Sequence, residues 1–261
     1  MSSKFPTAAF LIIGNEILDG STKEKNLAQL IEKLKPKGIL VKEARVVRDD
    51  EPTIVAALGQ LCDAYDFVFT SGGIGPTHDD ITVEAVAKFF GVDLHLNEEA
   101  LQLMQTRYEE SGKDASYMND AVKKMAYMPP NSVLIENSIS AAPGFQLGKV
   151  FVLAGVPSIF AAMLEALVVK LPNGPVMHSA SMLVYAGESR IAVPLDELEQ
   201  EQAAEHYLEI GSYPRQRESN GTTEHFVKVV VRSHEPEYPE TTLAKLKASL
   251  AELGIDCELQ S

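Results

Sequence analysis

One stretch constrains this chain more than any other. The apolar run Phe67-Val68-Phe69 leads directly into Thr70-Ser71-Gly72-Gly73-Ile74-Gly75-Pro76-Thr77-His78-Asp79-Asp80-Ile81-Thr82, and a helical run, Val83 to Phe90, leads out. A strand therefore ends in three glycines, a proline and two adjacent carboxylates before a helix begins. Open α/β sheets bind phosphate-bearing ligands at such a place, outside the carboxyl ends of their strands. Glycines allow close backbone approach and positive φ. Carboxylates can hold a divalent cation alongside phosphate oxygens. Ser71, Gly72, Gly73, Gly75, Pro76, Thr77 and Thr82 are thus ligand-binding candidates, with Thr82 also placed to cap the helix. Asp79 and Asp80, being adjacent, point in different directions, so one can ligate a metal while the other orients a backbone group or a water.

The flanking pattern repeats strand and helix. Ala8 to Ile13, Ile39 to Val47 and Asp66 to Thr70 read as strands. Lys23 to Leu34 carries apolar residues at Leu27, Leu30, Ile31 and Leu34, a helical spacing, and Pro52 opens a further helix through Cys62. Strands alternating with helices of this length predict right-handed crossovers and a parallel sheet. Glu98 to Ser111 and Ser116 to Lys124 read as helices. Short strands follow at Val133 to Ile135, Phe145 to Leu147 and Lys149 to Leu153, then a helix to about Val169. Pro172-Asn173-Gly174-Pro175 can continue neither kind of element and marks a boundary. The expectation is an α/β domain over residues 1–172 and a small α+β domain over 176–261, with a helix from Leu195 to Tyr207 and a strand from Tyr207 to Gly211 in the latter.

In a parallel sheet, loops after neighbouring strands converge at one edge. Gly14-Asn15-Glu16, after the first strand, can therefore face the pocket of Asp80, and Glu16 is a metal-ligand candidate or a solvated loop carboxylate. Lys25 and Asn26 can meet a phosphate or ribose. Arg48-Asp49-Asp50 follows the second strand, where Asp49 or Asp50 serves equally well as a simple helix cap. Ser140-Ala141-Ala142-Pro143-Gly144 forms a small, tight backbone wall. In Gly155-Val156-Pro157-Ser158, free N–H groups suit an anion and Ser158 suits a cap. Gly187-Glu188-Ser189-Arg190 and Gly211-Ser212-Tyr213-Pro214-Arg215 read as loops whose arginines either reach a diphosphate or are ordinary surface charges.

The formal net charge of −14 argues against a nucleic-acid surface but not against an anionic small ligand met by a local cluster of donors. No apolar stretch approaches the roughly 18 residues of a membrane span. The two cysteines have no metal-ligand spacing and read as unpaired thiols of a reducing cytosol, so a cytoplasmic location is expected. No nucleophile elbow or Cys/His pair supports acyl transfer.

Taken in order, Ile13-Gly14-Asn15-Glu16-Ile17-Leu18-x-Gly20, Val47-x-Asp49-Asp50, Gly72-Gly73-Ile74-Gly75-Pro76-Thr77-x-Asp79-Asp80-x-Thr82, Ala142-Pro143-Gly144-Phe145 and Leu153-x-Gly155-Val156-Pro157 resemble the molybdopterin-binding domain family. More closely, they resemble the amino-terminal domain of the competence/damage-inducible protein A (CinA) family. The match is strong over about residues 8 to 170, and the glycine loop is its specific part. The resemblance implies a three-layer α/β/α fold with a mainly parallel sheet. It implies a hydrolase of ADP-ribose or a related ADP-containing compound, dependent on a divalent metal (Mg, Mn, Co or Ni) with K as an optional accessory. The alternative is a molybdopterin-binding protein of molybdenum cofactor metabolism without hydrolase activity. In the adenylylating relatives, the acting aspartates correspond to Asp49 and Asp80. The catalytic candidates are therefore Asp80, Asp49 and Glu16, the metal candidates Asp80, Asp79 and Glu16, and a nucleotide or pterin the expected partner of a homo-oligomer, a dimer by preference. Asn15 stands where the family more often has Asp, which removes one metal ligand, and Glu24-Lys25-Asn26 replaces a more usual Asp-x-Asn. The deamidase domain of longer CinA proteins is not represented, so nicotinamide mononucleotide deamidation is not expected.

Overall fold

The computed structural model describes residues 5–202, 208–219 and 222–260. By its contacts the chain divides into two compact units, Met1–Gly174 and Pro175–Ser261. No helix among the described residues is long and apolar enough to cross a membrane.

The first unit contains β1 (Thr7–Ile13), α1 (Asn15–Leu18), α2 (Asn26–Leu34), β2 (Leu40–Val47), α3 (Glu51–Ala64), β3 (Phe67–Ser71), α4 (Thr82–Phe90), β4 (His95–Leu96), α5 (Glu98–Glu110), α6 (Asp120–Lys124), β5 (Tyr127–Met128), β6 (Val133–Ile135), β7 (Gly144–Leu147), β8 (Val150–Leu153) and α7 (Pro157–Val168). Its main sheet has the order β2-β1-β3-β8-β7-β6. The first four strands are parallel, and β7 and β6 add an antiparallel edge. Every residue from Ala8 to Ile13 is buried because both faces of β1 are covered. Ala9, Leu11 and Ile13 meet α3, α4 and α5 through Ile54, Leu58, Val86 and Met104. Ala8, Phe10 and Ile12 share the opposite core with Leu30 and Leu34 of α2 and Phe160, Leu164 and Leu167 of α7. This is the expected three-layer α/β/α arrangement.

Two helices differ from expectation. The helix predicted from Ser116 to Lys124 is a short 3-10 turn at Ala115–Tyr117 and then α6, because Asn119 turns extended and its side chain accepts from the Val122 amide at 3.0 Å as a cap. The helix predicted from Lys23 begins only at Asn26. Glu24 Oε1 accepts from the amides of Asn26 (2.6 Å) and Leu27 (2.9 Å), which fixes the start there, and α1 occupies part of the preceding loop.

The second unit contains β9 (His178–Val184), α8 (Glu188–Gln202), β10 (Leu208–Ser219), β11 (Thr222–Ser233), α9 (Tyr238–Glu252) and β12 (Cys257–Gln260). The sheet order is β10-β11-β9-β12, antiparallel throughout. Leu243, Leu246 and Leu250 of α9 pack on Val227, Val229, Val231, Met182 and Val184. The two loops predicted here are not loops. Glu188 to Arg190 is the first turn of α8, and Gly211 to Arg215 lies inside β10. Pro214 is tolerated because β10 is an edge strand, with no second neighbour among the described residues to receive an N–H. Tyr207, the junction of the predicted helix and strand, lies outside the described residues.

Candidate functional site

Because β1, β3 and β8 are adjacent and parallel, their following loops meet at one end of the sheet. Gly72 and Gly73 take left-handed φ values of 105° and 68°. A Cβ on Gly72 would strike the Ile13 carbonyl, and one on Gly73 would strike the Thr82 hydroxyl. The glycines are thus required by both conformation and space. Gly155 is placed so that its Cβ would lie 3.2 Å from the Gly72 Cα, a direct backbone-to-backbone approach.

Thr82 is fully buried, and its hydroxyl donates to the Gly72 carbonyl at 2.8 Å while its amide donates to the Gly73 carbonyl at 2.9 Å. This corrects its expected role. Ile81 precedes the helix and no side chain caps it, so Thr82 pins the glycine loop instead. Ser158 is likewise inside the first turn of α7 and makes no cap.

Asn26 and Ser71 also work behind the cleft. The Asn26 amide nitrogen donates to Ser71 Oγ and to the Gly155 carbonyl, both at 2.8 Å, and the residue is 5% exposed. Through these two bonds from its side-chain nitrogen it ties α2 to the ends of β3 and β8. Its Oδ1 is buried without a partner.

The loops enclose a cleft of about 610 Å³. Glu16, Gly72, Gly73, Gly75, Pro76, Asp80, Gly155 and Pro157 line it, as do Ile74, Ala141, Ala142, Val156, Ile159 and Met163. The two predicted aspartates separate. Asp80 is half-buried in the wall, where its Oδ2 accepts from the Thr77 amide at 2.9 Å and from the Thr77 hydroxyl. Asp79 is exposed beside His78 and outside the lining. Lys124 anchors the loop by donating to the Asp80 carbonyl at 2.7 Å while pairing with Glu84 at 3.2 Å.

Asp49 does not line the cleft. Its Oδ2 accepts from the Asn15 amide at 2.8 Å and so props the loop that carries Glu16. Asp50 caps α3, and the Thr53 hydroxyl and then its amide hold the Asp50 carboxyl below the usual carboxylate range. Pro143 and Gly144 lie at the start of β7, where a Gly144 Cβ would strike the Val152 carbonyl, and the wall of the cleft is Ala141 and Ala142 beside them. Arg190 belongs to the second unit, with its guanidinium 3.5 Å from the Leu253 carbonyl. Among the described residues no three His, Cys, Asp or Glu side chains gather as a metal-holding group.

The profile described as "Probable molybdopterin binding domain" matches residues 9–173. The chain belongs to this molybdopterin-binding domain family. A second profile, "FAD synthase, middle domain", matches residues 176–256. A Pyrococcus furiosus protein is 38% identical over 200 residues, covering 73% of this chain and 79% of its own length. A CinA-like protein of Geobacter sulfurreducens is 36% identical over 193 residues, 71% of this chain, of which the chain matches 46% of the length. Among solved structures, the crystal structure of the protein CinA, of unknown function, from Thermoplasma acidophilum is 37% identical with a TM-score of 0.57, covering 63% of this chain and 96% of that one. Membership in the molybdopterin-binding domain family thus rests on the same segment that builds the cleft.

Several lining residues escaped sequence reasoning. Tyr108 on α5 and Met125 just after α6 reach the cleft from distant elements, and nothing in local spacing marks them. Thr22 had a signal: it sits in the first loop, where its amide donates to the Glu16 carbonyl at 2.9 Å.

Proposed function

We propose that this chain hydrolyses the diphosphate of an ADP-containing compound such as ADP-ribose, with a divalent cation. The observation that carries this reading is the convergence of the glycine loop, Asp80 and Glu16 on one cleft. The Gly72 amide is already bonded to the Leu153 carbonyl at 3.1 Å, so the amides of Gly73 and Gly75, which meet no backbone acceptor among the described residues, are the donors for phosphate oxygens. The aliphatic wall of Ile74, Val156, Ile159 and Met163 suits a flat base.

Two carboxylates in one cleft do not make a resident cage, but they fit a cation of the magnesium type, which takes one or two carboxylates together with substrate phosphates. Glu16 and Asp80 would hold it, and when bound it would polarise the diphosphate and lower the pKa of a water. Thr77 orients the Asp80 carboxylate. Asp49 acts through the Asn15 amide as a positioning residue.

Phosphate release from ADP-ribose, coupled to a phosphatase and run with Mg, Mn, Co or Ni, with and without K, tests this. Asp80→Ala should lose at least about a hundredfold in rate, while Asp79→Ala stays near the parent. Parent-like turnover by Asp80→Ala would sink the assignment. The family profile and the apolar wall favour a second reading, a pterin-binding protein without turnover, to which mass spectrometry of ligand co-purified from a pterin-producing host gives the answer. Homo-dimerisation belongs with either reading and is checked by sedimentation.

A further inference from the structure

Glu16 and Asp80, the two carboxylates of the cleft, each lie against a glycine. A Cβ on Gly14 would fall 2.5 Å from Glu16 Oε1 and 2.6 Å from Oε2. A Cβ on Gly75 would fall 2.6 Å from Asp80 Oδ2 and 3.1 Å from Oδ1. Non-bonded carbons pack best at about 3.5–4.0 Å, so a methyl at either position would push the carboxylate off its seat.

Gly72 and Gly73 answer to a different need. They hold left-handed φ, and a Cβ on them strikes the Ile13 carbonyl and the Thr82 side chain. Gly14 is extended, with φ 164°, and Gly75 has no left-handed φ. Left-handed strain therefore does not call for glycine at either place. What a Cβ would meet there is the free end of a side chain, so alanine leaves the chain path open and moves the carboxylate.

Each carboxylate is also located from a second side. Asp80 accepts from the Thr77 amide at 2.9 Å and from the Thr77 hydroxyl. The turn that carries Glu16 is held by the Asp49 carboxylate on the Asn15 amide at 2.8 Å and by the Gly14 amide on the Val47 carbonyl at 3.2 Å. Gly14 stands directly before Asn15-Glu16, whereas Pro76-Thr77-His78-Asp79 separates Gly75 from Asp80. Two loops of unrelated spacing thus reach the same arrangement.

We propose that Gly14 and Gly75 are positioning residues of the cation site, the missing Cβ of each seating the carboxylate that holds the cation. A carboxylate already seated has less side-chain freedom to lose when the cation binds. This rests on the cation reading of the cleft.

Gly14→Ala and Gly75→Ala, alone and combined with Glu16→Ala or Asp80→Ala, test the seats. Electron paramagnetic resonance of Mn without nucleotide reads the carboxylates. Calorimetry of ADP in a chelator reads the backbone amides. Each glycine variant should weaken Mn binding about tenfold, as loss of a group that orients a metal ligand does. Tm should stay within about 2 °C of the parent. With Asp80→Ala the added Cβ meets no carboxylate, so Gly75→Ala should change nothing further, and Gly14→Ala should be silent likewise with Glu16→Ala. Metal-free ADP binding should match the parent, because alanine keeps the amide. In Gly75→Ala the Thr77 amide loses its acceptor and should exchange hydrogen several-fold faster. Parent-like Mn binding in both glycine variants together with parent-like Thr77 exchange overturns the proposal. So does a loss of Mn binding that persists undiminished in the carboxylate-free backgrounds, which marks a Cβ that blocks the site or disturbs the fold. If Thr77 exchange quickens but Asp80→Ala binds Mn as the parent does, the seat stands and the cation reading falls.

Discussion

Replacing the Thr82 hydroxyl offers the sharpest test of how the glycine loop is held. Thr82→Val exchanges one hydroxyl for one methyl at a fully buried position and leaves the backbone bond to Gly73 in place. The Gly72 carbonyl then loses its 2.8 Å donor. Leaving a buried polar group unpaired costs about 1–3 kcal/mol. For a unit of this size each kcal/mol lowers Tm by about 2–4 °C, so the expected fall is about 2–12 °C. Thr82→Ser keeps the donor and loses only a methyl, worth about 1 kcal/mol. Thr82→Asp separates pin from cap: an acceptor-only carboxylate is a good helix cap but cannot donate to a carbonyl. Calorimetric melts should therefore rank serine nearest the parent, valine lower and aspartate lowest. Valine melting with the parent, or aspartate melting above valine, would refute the pin. In the same variants, looser placement of Gly72 and Gly73 should weaken ADP-ribose binding in the same order as stability.

Two further outcomes follow from the core and the caps. Phe151, 1% exposed and stacked on Phe69 at 4.8 Å, should cost about 3–5 kcal/mol when changed to alanine, read from urea unfolding. Asp50 has a folded-state pKa below its unfolded one, so its contribution is present above the ordinary carboxylate range and disappears as pH falls through the folded value. Asp50→Ala should thus lower Tm at pH 7, and the gap to the parent should close in acid; a gap that persists at pH 2 contradicts the assignment.

The sheet was legible because β1 and β8 are almost wholly apolar and β3 opens on Phe67-Val68-Phe69 before its buried Thr70 and Ser71, and because Pro172 to Pro175 permits no regular element. The glycine loop was legible for the same kind of reason, since two left-handed residues in a crowded backbone exclude most side chains. What misled was side-chain hydrogen bonding. Thr82, Ser158 and Asn26 have types that cap, pin or bind with equal local plausibility, and tertiary placement alone decides among them. Gly211 to Arg215 misled differently: a glycine and a proline read as a turn, but an edge strand accepts both. Tyr108 was illegible because its meaning comes from a loop some 30 residues away, around Ser140 and Ala141.

The bonds that define the cleft are made on its far side. Asn26 joins α2 to Ser71 and Gly155, Thr82 joins α4 to Gly72 and Gly73, Asp49 holds the Asn15 amide, and Lys124 holds the Asp80 carbonyl. Each links a loop at the sheet edge to a different element, so the loops after β1, β3 and β8 are fixed relative to one another before any ligand arrives. That placement leaves backbone amides and two carboxylates at the front of the cleft in a chain of net charge −14. On the proposed reading, the attraction would come from the Gly73 and Gly75 amides and from a cation held by Glu16 and Asp80, whereas the remote charges are screened beyond a Debye length of about 8 Å at physiological salt. Preorganisation of this kind is what electrostatic stabilisation of a phosphoryl group needs, because donors already aligned cost no reorganisation during reaction.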